Sequence, residues 1–142
     1  MQLSLVTGSE IFTAGYQGRA LEAFVRLSVD HGITLVVDVR AHASSRRPGF
    51  AKTPLKNGLA AAGIGYVHLP IAGNPFRHDE GDWHGKYEAH LDHDPEIVRV
   101  VAEAARGKAA LLVCFEREPK ECHRTPLAER VAKVLGVKVR AL

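Results

Sequence analysis

The feature that most constrains this chain is an alternation. Short β-branched apolar runs trade places with stretches of helical period, and four of those stretches end at a glycine. Strands joined by crossover helices into a mainly parallel sheet produce this pattern. The candidate strands are Glu10 to Gly15, Thr34 to Val39, Ile64 to Leu69, Ala110 to Phe115 and Val137 to Arg140. Runs such as LVV and LLV are apolar without interruption, which suits strands covered on both faces. Residues 1 to 9 read as a frayed tail or an extra edge strand. Between the strands, Gly18 to His31 carries Leu21, Phe24, Val25 and Ser28 on one stripe and stops at Gly32. Thr53-Pro54 and Thr125-Pro126 read as N-cap and first helical position, and Asp94-Pro95-Glu96 opens a further helix. These helices close at Gly63, Gly136 and Gly107 in turn. Their buried faces are Ile97, Val101 and Ala104 in one, and Leu127, Val131, Val134 and Leu135 in the other. The expected fold is therefore α/β: a three-layer, Rossmann-like domain with about five mainly parallel strands flanked by helices.

At 142 residues the chain is the size of one domain, expected here to run from residue 1 to 142. Such a chain buries roughly two thirds of its unfolded surface, so no disulfide or metal staple is needed. No apolar run approaches the roughly 18 residues of a membrane span, and MQLSLVTGSE lacks the basic start and long apolar core of a leader. A cytoplasmic protein with no membrane partner is expected. In that compartment Cys114 and Cys122 are expected as reduced thiols. Nineteen Lys and Arg against sixteen Asp and Glu give a net charge of +3, a weak pointer to an anionic partner.

In an open parallel sheet, ligands bind beyond the carboxyl ends of the strands, near the point where strand order reverses. Tyr16, Asp38 with Arg40, His68, and Cys114 with Glu116 all fall at or just past such ends. The densest polar feature is CFEREPKECHR, residues 114 to 124. Its tail, Cys122-His123-Arg124, meets the start of the last helix, where free amides and the helix dipole favour negative charge. A thiol there would lean toward thiolate, and Arg124 could hold an anion bidentately. Packing of Cys122 as a small hydrophobe, with Arg124 paired to Glu116, is the alternative. The spacing is not that of a Cys-x5-Arg phosphatase loop, since Lys120 and Ala128 stand in the arginine places. No metal is expected: seven residues lie between the two cysteines, wider than the usual zinc spacing. No cofactor is expected either. Five of the eight histidines fall between His68 and His93, and apart from His68 they read as surface composition. The loop after the second strand brings Arg40, His42, Arg46, Arg47 and Lys52 together with small residues, a pattern that could grip phosphate. Aromatic interleaving there is sparse, which argues against sequence-reading nucleic-acid recognition.

Taken in order, IFTAGYQGRALEAF, LVVDVRAHASSRRPGFAK, GIGYVHLPIAGNPFR with KYEAHL, and LLVCFEREPKECHRTPLA resemble the motifs of the domain of unknown function 488 family. The most specific of them is C-x-E-x-x-x-x-x-C-H-R. The resemblance runs from about Ile11 to Leu135. It lands on Asp38, Arg40, Pro48, Phe50, Lys52, His68, Gly73, Cys114, Glu116, Cys122, His123 and Arg124. Tyr16 stands where many relatives carry histidine. The resemblance implies a site but no reaction, and two readings stay open. In the first, the chain is an enzyme acting on a phosphorylated or nucleotide-like molecule or a nucleic-acid end. Tyr16, Arg40, Lys52, His68 and Arg124 would then bind substrate, while Asp38, Glu116, Cys122 and His123 carry the chemistry. In the second, the same cleft binds an anion, nucleic acid or protein without catalysis. Carboxylates beside basic groups favour the enzyme. The oligomeric state is not legible.

Overall fold

Side chains alternate along the central strands, and each alternation feeds a different core. The computed structural model describes residues 10–79 and 81–142; the expectation for residues 1 to 9 lies outside them. Strand β1 (Glu10–Gly15) sends Ile11 to one core and Phe12 and Ala14 to the other. Strand β4 (Ala110–Cys114) divides Ala110, Leu112 and Cys114 from Leu111 and Val113 in the same way. The remaining strands are β2 (Leu35–Asp38), β3 (Gly65–His68) and β5 (Lys138–Ala141). All pairings are parallel, in the order β3-β2-β4-β1-β5. Helices α1 (Leu21–Asp30) and α2 (Lys52–Ala61) cover one face through Phe24, Leu55 and Leu59. Helices α3 (Trp83–His93), α4 (Glu96–Ala105) and α5 (Arg124–Leu135) cover the other through Tyr87, Leu91, Ile97, Val101 and Leu127. The expected α/β architecture of five strands between two helical layers is thus the observed one. Among the described residues no helix is long and apolar enough to cross a membrane.

The differences from expectation are local. All four glycine stops have a left-handed φ, between 68° and 78°. Helix α1 starts at Leu21, later than the expected Gly18, whereas α2 and α5 start earlier than expected. Ala51 and His123, not Thr53 and Thr125, precede α2 and α5. A proline is tolerated throughout the first turn, where its missing N–H has no partner to lose. Thr125 instead donates its hydroxyl to the Pro119 carbonyl at 2.6 Å. Val134, expected on the buried face of α5, is 56% exposed, because Ala128 and Ala132 turn inward and let the helix lie close to the sheet. Helix α3 was not foreseen. Its only apolar residues at helical spacing are Trp83, Tyr87 and Leu91, and histidines and charges mask that stripe. Asp82 caps it, accepting from the Gly85 amide at 2.7 Å.

Adjacent strands β1 and β4 lead their chains to opposite faces, β1 into α1 and β4 into α5. A crevice must open between their carboxyl ends. Two glycines set its walls. A Cβ on Gly15 would run into the Glu116 carbonyl, and one on Gly73 into the Ala41 backbone, so only glycine allows these loops to approach.

Candidate functional site at the sheet switch point

The crevice forms a cleft of about 320 Å³. Tyr16, Cys114, Phe115 and Glu116 line it from β1 and β4, and Arg40, Ala41, His42 and Ser44 from the loop after β2. Asn74, Pro75, Arg77 and His78 close the side beyond β3, with His123 at the base. Of the residues expected at the site, Tyr16, Arg40, Glu116 and His123 share this surface, while Asp38 and Arg124 lie directly behind it.

Asp38 is fully buried, and its carboxylate is saturated. Oδ1 accepts from the Arg40 amide at 3.1 Å and Nε at 2.8 Å; Oδ2 accepts from Arg40 Nη2 at 2.6 Å and the Tyr66 hydroxyl at 2.5 Å. Four bonds fill the four lone-pair positions of a carboxylate, leaving none for a substrate proton. Arg40 is held equally tightly, its Nη1 donating to the Phe50 carbonyl at 2.6 Å and the Tyr16 hydroxyl at 3.3 Å. Burial alone would lower the Arg40 pKa, but the bonds and charge of Asp38 outweigh it and raise the value. Burial and then the Asp38 bond likewise push Tyr66 above its usual range. Phe50 stacks on Tyr16 with centroids 4.4 Å apart. The Pro48-Gly49-Phe50 turn therefore serves to seat Arg40 and Tyr16. Because Tyr16 accepts from Arg40, its own proton is free to point into the cleft.

The other expected ligands stand elsewhere. His68 bonds the Arg40 carbonyl at 2.7 Å and steadies the loop behind the cleft without lining it. Lys52 begins α2, exposed to solvent and away from the lining. Arg47 is spent on the Arg19 carbonyl.

Beneath the cleft floor the β4–α5 connection folds back on itself. Arg124, with no exposed surface, donates Nη1 to the Glu116 carbonyl and Nη2 to that of Arg117 at 3.1 Å. Nη1 also lies 3.4 Å from Cys114 Sγ, and Nε has no partner among the described residues. Burial lowers the Arg124 pKa to about 10, so it stays charged at neutral pH. The fold-back brings Cys114 and Cys122 together, with their sulfurs in direct contact. This corrects the expectation that the two thiols stand apart in separate environments. The spacing of seven residues gave no sign that Arg124 would draw the loop closed. It also reverses their expected environments: both cysteines are 1% exposed, and it is Cys114 that lines the cleft.

His123 Nε2 bonds the Val39 carbonyl at 2.7 Å. A carbonyl can only accept, so Nε2 carries the proton and Nδ1 presents its lone pair 3.9 Å from Cys122 Sγ. Burial lowers the His123 pKa and keeps the ring neutral. The donor atoms of Cys114, Cys122 and His123 lie within 4.8 Å of one another, close enough for one metal ion. The Arg124 guanidinium already sits against Cys114 Sγ, however, and a second cation there would meet unscreened repulsion. The cluster does not suit a metal.

The family model of the domain of unknown function DUF488 matches residues 20–131. The chain belongs to the DUF488 family. Neither a curated protein nor a solved structure matches it. The DUF488 motifs quoted from the sequence thus reach the cleft, with Arg40 in its lining, and Arg124 behind it. What sequence reasoning missed is the far wall of the DUF488 cleft. Arg77 pairs with Glu116 Oε2 at 3.0 Å and lies over the Phe115 ring at 5.3 Å. His78 lines the cleft although it read as surface composition, and His42 lines it from the basic loop. A signal existed for Arg77 and His78. Tyr87, four residues after Trp83, marks α3, and its hydroxyl ties back to the Ala72 carbonyl at 2.8 Å. That tie brings the segment after Ala72 against the strand ends.

Proposed function

We propose that this DUF488 cleft binds the phosphate or equivalent anionic group of a small, nucleotide-like molecule and acts on it as an enzyme. The observation that carries this reading is the composition of the lining: among the described residues Arg40, His42, Arg77 and His78 share one cleft with one carboxylate, Glu116. Basic groups in that number concentrate an anion, and guanidinium hydrogen bonds are its strongest anchors. Arg77, 47% exposed, is the side chain free to reorient onto a ligand. Arg40, immobilised by Asp38, fixes the wall of the cleft and holds Tyr16 in place. The Tyr16 hydroxyl donates a hydrogen bond. Displacing Arg77 from Glu116 frees that carboxylate to take a proton from the substrate, and the neutral His123 ring offers a second base. In this reading Asp38 positions Arg40 and handles no proton.

Thermal-shift titration of the intact chain with inorganic phosphate, pyrophosphate and nucleoside monophosphates tests the binding step. At a hundred times Kd a ligand adds about 2.7 kcal/mol, a rise in Tm of roughly 5–10 °C for a chain of this size. Arg77→Ala is expected to abolish the shift and Lys52→Ala to leave it intact. No shift with any of these ligands overturns the reading. Binding without turnover, followed by phosphorus NMR of the ligand over hours, leaves a binding domain and removes the enzyme.

A further inference from the structure

We infer that Cys114 and Cys122 form a reversible dithiol–disulfide site on the wall of the cleft, with Cys114 the sulfur that a peroxide oxidises first and Cys122 the one that resolves it. The inference does not depend on which ligand the cleft takes. Three observations carry it. The first is enforced proximity. Arg124 holds the Glu116 and Arg117 carbonyls, and Thr125 holds that of Pro119, so the loop keeps the two sulfurs adjacent whether or not they are bonded. The second is the unbalanced charge on Arg124. Among the described residues its side-chain hydrogen bonds reach only neutral carbonyls and a sulfur, and Nε is orphaned. A buried cation calls for a counter-charge, and a Cys114 thiolate 3.4 Å from Nη1 supplies one. The nearest carboxylate, Glu116, places Oε1 3.9 Å from Cys114 Sγ and opposes the thiolate, but Arg77 neutralises it through Oε2. The third is access. Cys114 faces the cleft and Cys122 does not.

The chemistry balances with peroxide as oxidant. The Cys114 thiolate attacks one peroxide oxygen; an S–O bond forms, the O–O bond breaks, and the departing hydroxide takes a solvent proton to become water. Cys122 then gives its proton to His123 Nδ1, 3.9 Å away, and attacks the Cys114 sulfur. The S–S bond forms as the S–O bond breaks, and the second hydroxide recovers the proton from His123. Two thiols lose two electrons and one peroxide becomes two waters. A dithiol reductant reverses the bond by exchange, as the catalytic and sensing disulfides of reducing compartments require.

The test uses the full chain reduced with dithiothreitol, desalted anaerobically and given one equivalent of hydrogen peroxide. Free thiols are then alkylated and weighed by mass spectrometry. The expected result is loss of both alkylation sites, restored by dithiothreitol in the folded protein. In Cys122→Ser, a sulfenic acid trapped by dimedone should appear at Cys114. In Cys114→Ser, oxidation of Cys122 should be about ten-fold slower than that of Cys114 in Cys122→Ser. Arg124→Lys, which keeps the charge but loses the fork, should slow Cys114 oxidation while circular dichroism stays native. Faster oxidation of Cys122 than Cys114, persistence of both thiols through an hour of peroxide, or a bond that dithiothreitol cannot open in the folded state would each overturn the inference.

Discussion

Two arginines are buried in this molecule, and they are buried in opposite ways. Arg40 meets a carboxylate square on, with every contact matched, and its pKa rises. Arg124 meets carbonyl oxygens and a sulfur, leaves Nε unpaired, and burial lowers its pKa to about 10. Arg40 lines the cleft from the loop after β2, and Arg124 lies directly behind it at the start of α5. The contrast teaches how to read a buried charge. A fully compensated ion pair fixes geometry and has no capacity left for chemistry. An undercompensated cation holds a site in which a negative group is favoured. By that argument Asp38 and Arg40 form the frame, and the reactive side of the cleft is the Cys114, Glu116 and His123 wall.

The largest expected effect breaks the compensated side. Asp38→Asn leaves Arg40 buried without its counter-ion, which should cost about 3–5 kcal/mol and show as a lowered urea midpoint with unchanged m. A loss under 1 kcal/mol would mean that Arg40 reaches solvent, and the contrast would collapse. Arg124→Met is expected to cost less, roughly 1–3 kcal/mol, because it removes hydrogen bonds to carbonyls but also removes an uncompensated charge. If urea unfolding shows Arg124→Met to be the more damaging of the two, Arg124 has a counter-charge in solution that the contrast denies it.

The smallest effect sharpens the boundary between the two regions. His123 touches both, through Val39 on one side and Cys122 on the other. Burial holds its folded pKa below the ordinary 6.5. The unfolded chain therefore takes up the proton first as pH falls. Stability should be full above about pH 6.5 and decline through the window between that value and the lower folded one, by at most about 1.4 kcal/mol per pH unit. His123→Gln should flatten this slope in urea titrations at pH 5 to 8. An unchanged slope would mean that the ring charges freely in the fold.

Much of the frame could be read without coordinates. Period-two and period-3.6 apolar patterns report which face of an element is buried, and left-handed glycines report where a helix ends, so the strands, the helix stops and the α/β class followed from residues alone. The strand-end rule then drew attention to Tyr16, Arg40, Glu116 and His123, because a parallel sheet brings all carboxyl ends to one edge whatever the strand order. Helix α3 escaped because its apolar residues are few and its histidines look like surface.

The tertiary structure alone decided what each polar group does. Asp38 ends β2 and Glu116 follows β4 by two residues, and both read alike as carboxylates at strand ends, yet one is saturated by Arg40 and Tyr66 and the other faces the cleft. His68 and His78 differ in the same manner, as do Lys52 and Arg77. The reason is physical. Burial of apolar side chains depends on local periodicity, which a sequence displays directly. Hydrogen-bond saturation and charge compensation depend on which distant groups the packed fold brings within about 3 Å, and no local pattern carries that distance.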